Sequence, residues 1–246
     1  MSLLQQTQAI VLKSIKYGET SLITSIFTHQ FGLLSFMMKG LRTSKSKNSQ
    51  AQLIFPGSIL DMVIYHNPHK NLQIAKEFQP AFHYLSIRES VSKNCIVLFA
   101  VEVLYLFLSS ENPQEDLYDF SYQFLNQLDT FPPHQLANLP LYFLIGVGKL
   151  SGYQLLGNYQ NGQPYLDLTE GRFTHHEVVA PPIISSEDAA IMSRLNQAEN
   201  MKSVAEIAIN REDRKRILSY FLLFFQNHLP HFRSLRTISV LESILH

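Results

Sequence analysis

The sequence predicts an α+β multidomain chain: a five-stranded OB-type β-barrel, then a mainly α-helical domain with a small β-hairpin excursion. Three observations predict it. Over the first 80 residues the apolar positions alternate or cluster in short β-branched runs, the pattern of half-buried strands. Turn residues separate those runs at short intervals. From about residue 84 the apolar spacing changes to the three-to-four period of helices. The 246 residues, 46% hydrophobic and 16% charged, are those of a globular rather than a disordered chain.

The first strand is read from Ala9 to Ile15. In the second, Ser21 to Thr28, residues Leu22, Thr24, Ile26 and Thr28 share one face, with Ile23 and Phe27 on the other. A third run spans Leu33 to Met38 and is closed by Lys39-Gly40, a fourth Ser58 to Tyr65, and a fifth Leu72 to Phe78. Turns are expected at Tyr17-Gly18-Glu19, Gln30-Phe31-Gly32 and His66-Asn67-Pro68-His69. Five short strands suit an OB-type barrel, whose closure removes exposed edges. An SH3-like barrel would give the same pattern. The basic, Ser-rich stretch from Leu41 to Gln50 has no apolar anchors and reads as a mobile loop at the barrel rim.

Helices are expected over Val91–Leu108, apolar nearly all round and therefore central to a core, over Gln114–Leu128, and over Pro140–Leu155. Another starts behind Ser185-Ser186-Glu187-Asp188, with its cap and first-turn acids. Asn210 with Asp213 caps one running to about His228, and Leu235–Leu245 makes a last short helix. Residues 156–177 interrupt this pattern. Tyr165–Leu168, a Thr169-Glu170-Gly171 turn and Arg172–Thr174 read as a hairpin. The expected domains are thus 1–80, a nucleic-acid-binding barrel, and 81–246, a helical domain with 156–177 as an insertion.

Charge is uneven. Residues 1–80 hold eight Lys and Arg against three Asp and Glu, a balance of +5. The whole chain carries 20 of each sign, so the rest carries −5. Such asymmetry suggests an anionic partner for the basic segment. No apolar run reaches the roughly 18–20 residues of a membrane span, and no signal peptide is recognisable, so a cytoplasmic protein without membrane association is expected. The lone Cys95 excludes an internal disulfide and a cysteine-rich zinc site. On an apolar helix it reads as a buried structural thiol.

No catalytic constellation is evident, and the chain is read as a non-enzyme without cofactor or metal. Gly146-Val147-Gly148-Lys149-Leu150-Ser151 resembles a phosphate loop, but Phe143 occupies the first glycine position and the stretch lies within a helical pattern. Small residues allowing close helix packing explain it better. His66 with His69, and His175-His176-Glu177, read as surface histidines. Lysines on barrel-rim loops, by contrast, neutralise phosphates and release counterions. The candidates are Lys13 and Lys16 at the first turn, Lys39, Arg42, Lys45 and Lys47 in the long loop, and Lys70 at the fourth turn. Tyr17 and Tyr65 are candidates for base stacking, as is Phe36, which reads better as core. Loop lysines contact phosphates, so no base-specific readout is expected.

The N-terminal residues also resemble a known family. Ala9-Ile10-Val11-Leu12-Lys13, Tyr17-Gly18-Glu19-Thr20-Ser21, Phe27-Thr28, Gly32 and Lys39-Gly40 with Arg42 match the opening of the bacterial RecO recombination proteins. Phe55-Pro56, Phe99-Ala100-Val101-Glu102-Val103-Leu104, His228-x-Pro230 and Leu235-Arg236-Thr237 extend the likeness over nearly the whole chain. The resemblance implies an N-terminal OB-fold, a helical domain and a role in DNA recombination and repair after DNA damage. It implies binding of single- and double-stranded DNA and annealing of complementary strands. It further implies pairing with RecR, help to RecA in replacing single-strand-binding protein (SSB), and a helical domain that holds the acidic, apolar SSB tail. The nucleoid is then the place of action. DNA contact carries over to Lys13, Lys16, Lys39, Arg42, Lys45 and Lys47. Many members have a four-cysteine zinc finger where residues 156–177 stand here, without a cysteine, so no zinc is expected. The residues alone leave an OB-fold RNA-binding protein, or an assembly adaptor without annealing activity, as alternatives.

Overall fold

The structure, a computed structural model, describes residues 3–41, 50–108, 112–160, 164–179 and 181–244. The chain divides into two compact units, Met1–Thr130 and Phe131–His246.

The first unit is built on strands β1 (Leu3–Tyr17), β2 (Ser21–Thr28), β3 (Gly32–Met38), β4 (Ile59–His66) and β5 (Leu72–Pro80). They form a closed barrel in the order β1-β2-β3-β5-β4, with β4 returning to β1. The β3–β5 pairing is parallel and the others antiparallel. That order is the OB arrangement, which removes the SH3-like alternative. Its interior is filled by Ala9, Val11, Leu22, Ile26, Leu34, Phe36, Met38, Leu60, Met62 and Ile64. In β2 the face shared by Leu22, Thr24, Ile26 and Thr28 points inward, and all four are buried.

Three features depart from expectation. β1 begins at Leu3, six residues before Ala9, because its polar first half is paired along β4 from Leu3–His66 to Ile10–Ile59. One strand thus serves two neighbours and closes the barrel. Leu41, read as part of an anchorless loop, is 3% exposed and belongs to the barrel core. The rest of that loop, residues 42–49, with Arg42, Lys45 and Lys47, lies outside the described residues. Finally, β1 carries a bulge between Val11 and Lys13. An extra residue reverses the faces of all that follow. Ala9 and Val11 point inward, whereas Lys13, Ile15 and Tyr17 point out.

Helices α1 (Val91–Phe107) and α2 (Glu115–Thr130) complete this unit. Ser90 caps α1 by accepting from the Lys93 amide. The approach to α1 is fixed by Asp129 of α2, whose carboxylate accepts from the amides of Leu85 (2.7 Å), Ser86 (2.9 Å) and Ile87 (2.9 Å). Buried Lys93 donates to the Asp129 carbonyl oxygen (2.6 Å) and to Ser86 Oγ (2.8 Å). Burial alone raises the Asp129 pKa. The three amides and the Lys93 charge outweigh it and hold the carboxyl below its ordinary value. Burial lowers the Lys93 pKa, opposed by Asp129. Cys95 is buried, as expected.

The second unit contains α3 (Leu139–Leu150), β6 (Tyr165–Asp167), β7 (Arg172–Thr174), α4 (Ser186–Gln197), α5 (Met201–Ala205), α6 (Arg211–His228) and α7 (Ile238–Ile244). Ser185 and Asn210 cap α4 and α6 at the expected positions. The short α5, with its Asn200–Ser203 capping box, was not anticipated. The hairpin pairs Leu166 with Phe173, and its turn is held by Asp167 Oδ1, which accepts from the Thr169 and Glu170 amides. Leu166, Leu168 and Phe173 are buried, so packing anchors it. Gly148 lies inside α3, where a Cβ would stand 2.5 Å from two Phe225 ring carbons of α6. Close packing is thus the role of that glycine. Among the described residues no helix is long and apolar enough to cross a membrane, and no cluster of three His, Cys, Asp or Glu is arranged to hold a metal ion.

Candidate nucleic-acid interface

The outer surface of the barrel has two faces of opposite character. On the first, the bulge in β1 turns Lys13 and Tyr17 outward. Lys13 lies opposite Ser25, and Ser25 opposite Ser35 on β3. Lys16, at the end of β1, is exposed and opposite Leu22, which is itself opposite Met38. Lys39 follows Met38 and is exposed. Two inter-strand steps of about 4.8 Å therefore separate the end of β1 from the end of β3, so that Lys13, Tyr17 and Lys39 come together on the outward side, while Lys16, in register with the interior Leu22 and Met38, is exposed at the rim beside them.

Lys70 is exposed but set apart. It sits in the β4–β5 turn, and β5 begins with Leu72 opposite Ser35. The turn thus faces the earlier part of β3, while Lys39 lies beyond its end. Gln73 fixes that turn: its side-chain amide donates to the Asn67 carbonyl (2.9 Å) and accepts from the Asn67 amide (2.9 Å). Tyr65 faces outward on β4, 41% exposed, so its ring is available. Phe36 is fully buried in the core and presents no face to a base.

Lys76, not among the expected contacts, is exposed at a bulge in β5. Its pairing with Glu77 at 3.6 Å is solvent-exposed, and such pairs contribute little. Its sequence signal was weak, because Glu77 follows it directly.

The other face is a groove of about 860 Å³ whose lining includes Gln6, Gln8, His29, Asp61, Glu77 and Asp119. His29 Nε2 approaches Asp119 at 3.5 Å, and its ring meets Tyr118 edge-on at 5.0 Å. Gln8 donates to Asp61 at 3.2 Å. Three carboxylates with no lysine or arginine in the lining repel phosphate. The near-neutral charge of the whole chain conceals this division.

The second unit has a smaller cavity of about 260 Å³. Its lining pairs apolar Pro140, Leu141, Leu218 and Leu241 with Arg211 and Lys215 and with the carboxylates of Glu212 and Glu242. Lys215 bridges Glu242 at 3.1 Å, and Arg211 donates to the Glu242 carbonyl at 3.0 Å, which ties α7 to α6. Arg214, also in the lining, donates to Asn138 Oδ1 and to the Ile209 carbonyl, each at 3.0 Å. Its Nη1 is buried without a hydrogen-bond partner.

Comparison with known proteins finds two matching segments, which meet just after the barrel. Residues 1–84 match the family described as Recombination protein O N terminal, and residues 88–236 match Recombination protein O C terminal. Similar proteins include the DNA repair protein RecO of Christiangramia forsetii, 27% identical over 98% of this chain and 99% of the relative. The protein of that name from Flavobacterium psychrophilum is 27% identical over 97% and 98%, and that from Bacteroides fragilis 29% identical over 98% and 99%. OB barrel, helical unit and likeness along the full length agree: the chain belongs to the RecO family of DNA repair and recombination proteins.

Proposed function

We propose that this protein is a DNA-binding recombination mediator. It binds single- and double-stranded DNA through the lysine face of its barrel, anneals complementary strands and helps RecA replace SSB. The observation that carries the reading is the gathering of Lys13, Tyr17 and Lys39 on the outward side of the barrel, with Lys16 exposed at the rim beside them, apart from a groove lined by carboxylates. Arg42, Lys45 and Lys47 follow directly in sequence and, with Lys70, extend the contact. Lysines over two strands lower the mutual repulsion of their phosphates, which lets complementary strands meet. No bond is made or broken, so the reading requires no catalytic residue and no cofactor. The work is divided between a barrel at 1–80 for DNA and a helical region at 81–246 for partners. The place of action is the nucleoid of the cytoplasm.

For the partners, the cavity of the second unit suits the SSB tail. Arg211 and Lys215 complement acids where a ligand carboxylate takes the place of Glu242, while Leu141, Leu218 and Leu241 accept apolar side chains. Pairing with RecR is part of the same reading.

Salt dependence of DNA binding tests it. On single strands log K falls against log salt with a slope of about −0.7 per phosphate neutralised. Changing Lys13, Lys16 and Lys39 to Ala removes up to three contacts and makes the slope shallower by about 2. An unchanged slope would place the DNA surface elsewhere. RNA competing for labelled DNA at equal strength would favour an RNA-binding protein. Annealing of SSB-coated strands, with and without the SSB tail, tests mediator activity. Lys215→Glu is expected to weaken binding of the tail peptide.

A further inference from the structure

The barrel register places outward-facing residues in a continuous row, one from each of β2 to β5 and two from β1. Ile15 on β1 is opposite Ile23 on β2, and Ile23 is opposite Met37 on β3. Met37 is opposite Ile74 on β5, Ile74 opposite Tyr65 on β4, and Tyr65 opposite Leu4, back on β1. Residues directly opposite each other project to the same side of a sheet. The six side chains therefore form one apolar band that winds around the outside of the barrel. Leu4, Ile15, Tyr65 and Ile74 are 52%, 50%, 41% and 45% exposed. Ile23 and Met37 are half-buried between them.

Outward positions on a small barrel are ordinarily polar, and a contiguous exposed apolar surface marks a binding site. Charge indicates what binds here. Lys16 and Lys39 lie along one side of the band near Ile15 and Met37, and Lys76 lies beside Ile74 on that side. Lys13 stands on the other side, two residues before Ile15 on the same face. An apolar row with cations on both sides complements a polymer with flat apolar faces and anionic links. Five inter-strand steps of about 4.8 Å give a band of about 24 Å, the scale of the four or more nucleotides that an OB-fold holds.

We infer that this band is the platform on which unstacked bases of a single strand lie, and that it distinguishes single-stranded from double-stranded nucleic acid. The inference rests on the DNA-binding reading above and adds residues and a preference to it. In a duplex the base faces are hidden in the stack, so a duplex meets the lysines but not the band. Four of the six side chains have no donor or acceptor and the Met37 sulfur is only a weak acceptor, so the band reads no sequence. It also leaves the Watson–Crick edges of bound bases unoccupied and open to a complementary strand.

The test measures binding of the full chain to three probes of equal length: oligothymidylate, its abasic counterpart and a duplex. Tyr65→Ser combined with Ile74→Ser should weaken oligothymidylate binding about fivefold or more, since one base stacked on the Tyr65 ring contributes at least that much and the Ile74 contact is lost with it. Binding of the abasic strand and the duplex should stay within about twofold of the wild type, which also shows that the variant is folded. Ile74→Phe, which restores a larger flat contact, should bind oligothymidylate at least as tightly as the wild type. If the double variant binds oligothymidylate as the wild type does, the inference fails while the lysine reading stands, and the band belongs to a protein partner. Equal loss on all three probes, or wild-type binding of the abasic strand as tight as that of oligothymidylate, also overturns it. If the wild type binds none of the probes, the DNA-binding reading itself fails.

Discussion

Asp129→Ala tests the anchor that joins the barrel to its helices. The carboxylate accepts from three amides in a row, those of Leu85, Ser86 and Ile87. Ile87 is fully buried, so its orphaned N–H costs about 1–3 kcal/mol. The amides of Leu85 and Ser86 are nearer solvent and can recruit water, so each loses about 0.5–1.5 kcal/mol. Lys93 loses its nearby countercharge but keeps its bonds to Ser86 Oγ and the Asp129 carbonyl. The total is about 3 kcal/mol, or a melting shift of about 10 °C for a unit of this size. The chain has no tryptophan, so calorimetry is the suitable assay, with hydrogen exchange at residues 85–87 to localise the effect. Asp129→Asn keeps a carbonyl acceptor and should lose less. The sign with pH follows from the lowered carboxyl pKa. Its stabilisation is complete above the unfolded value, about 3.9, and disappears as pH falls through the lower folded value. The gap between wild type and Asp129→Asn should therefore close only in strong acid. A shift below about 2 °C, or unchanged exchange at Ile87, would refute the anchor.

Gly148→Ala should destabilise the second unit by about 1–3 kcal/mol despite the better helix propensity of alanine, because Phe225 is buried and cannot yield to a Cβ at 2.5 Å; thermal unfolding checks this. A fragment ending at Pro80 should be far less stable than one ending at Thr130. It lacks Val97, which packs on Gly57, and Tyr118, whose ring meets Phe27 edge-on at 5.4 Å; circular dichroism of the two fragments decides. Metal analysis of the pure protein should find no stoichiometric zinc, since the hairpin is anchored by Leu166, Leu168 and Phe173; stoichiometric zinc would contradict that account.

Elements whose signals are local were legible along the chain. Alternation in β2 and β3, the caps at Ser185 and Asn210, the Asp167 turn and the switch from a period of two to one near four each follow from neighbours a few residues apart. The exposed lysines at 13, 16, 39 and 70 were legible as candidates for the same reason. Tertiary structure decided what depends on strands meeting. The polar start of β1 has no strand-like pattern of its own and is a strand because β4 pairs with it. The bulge in β1 sets which side of the barrel Lys13, Ile15 and Tyr17 face, and simple alternation from Val11 would have turned them inward. Lys93 is charged in any sequence reading, yet it is buried against Asp129, a partner 36 positions away. The apolar band has no signal along the chain at all. Its six members are scattered over five strands, two of them at opposite ends of β1, and register, which is a non-local property, is what makes them neighbours.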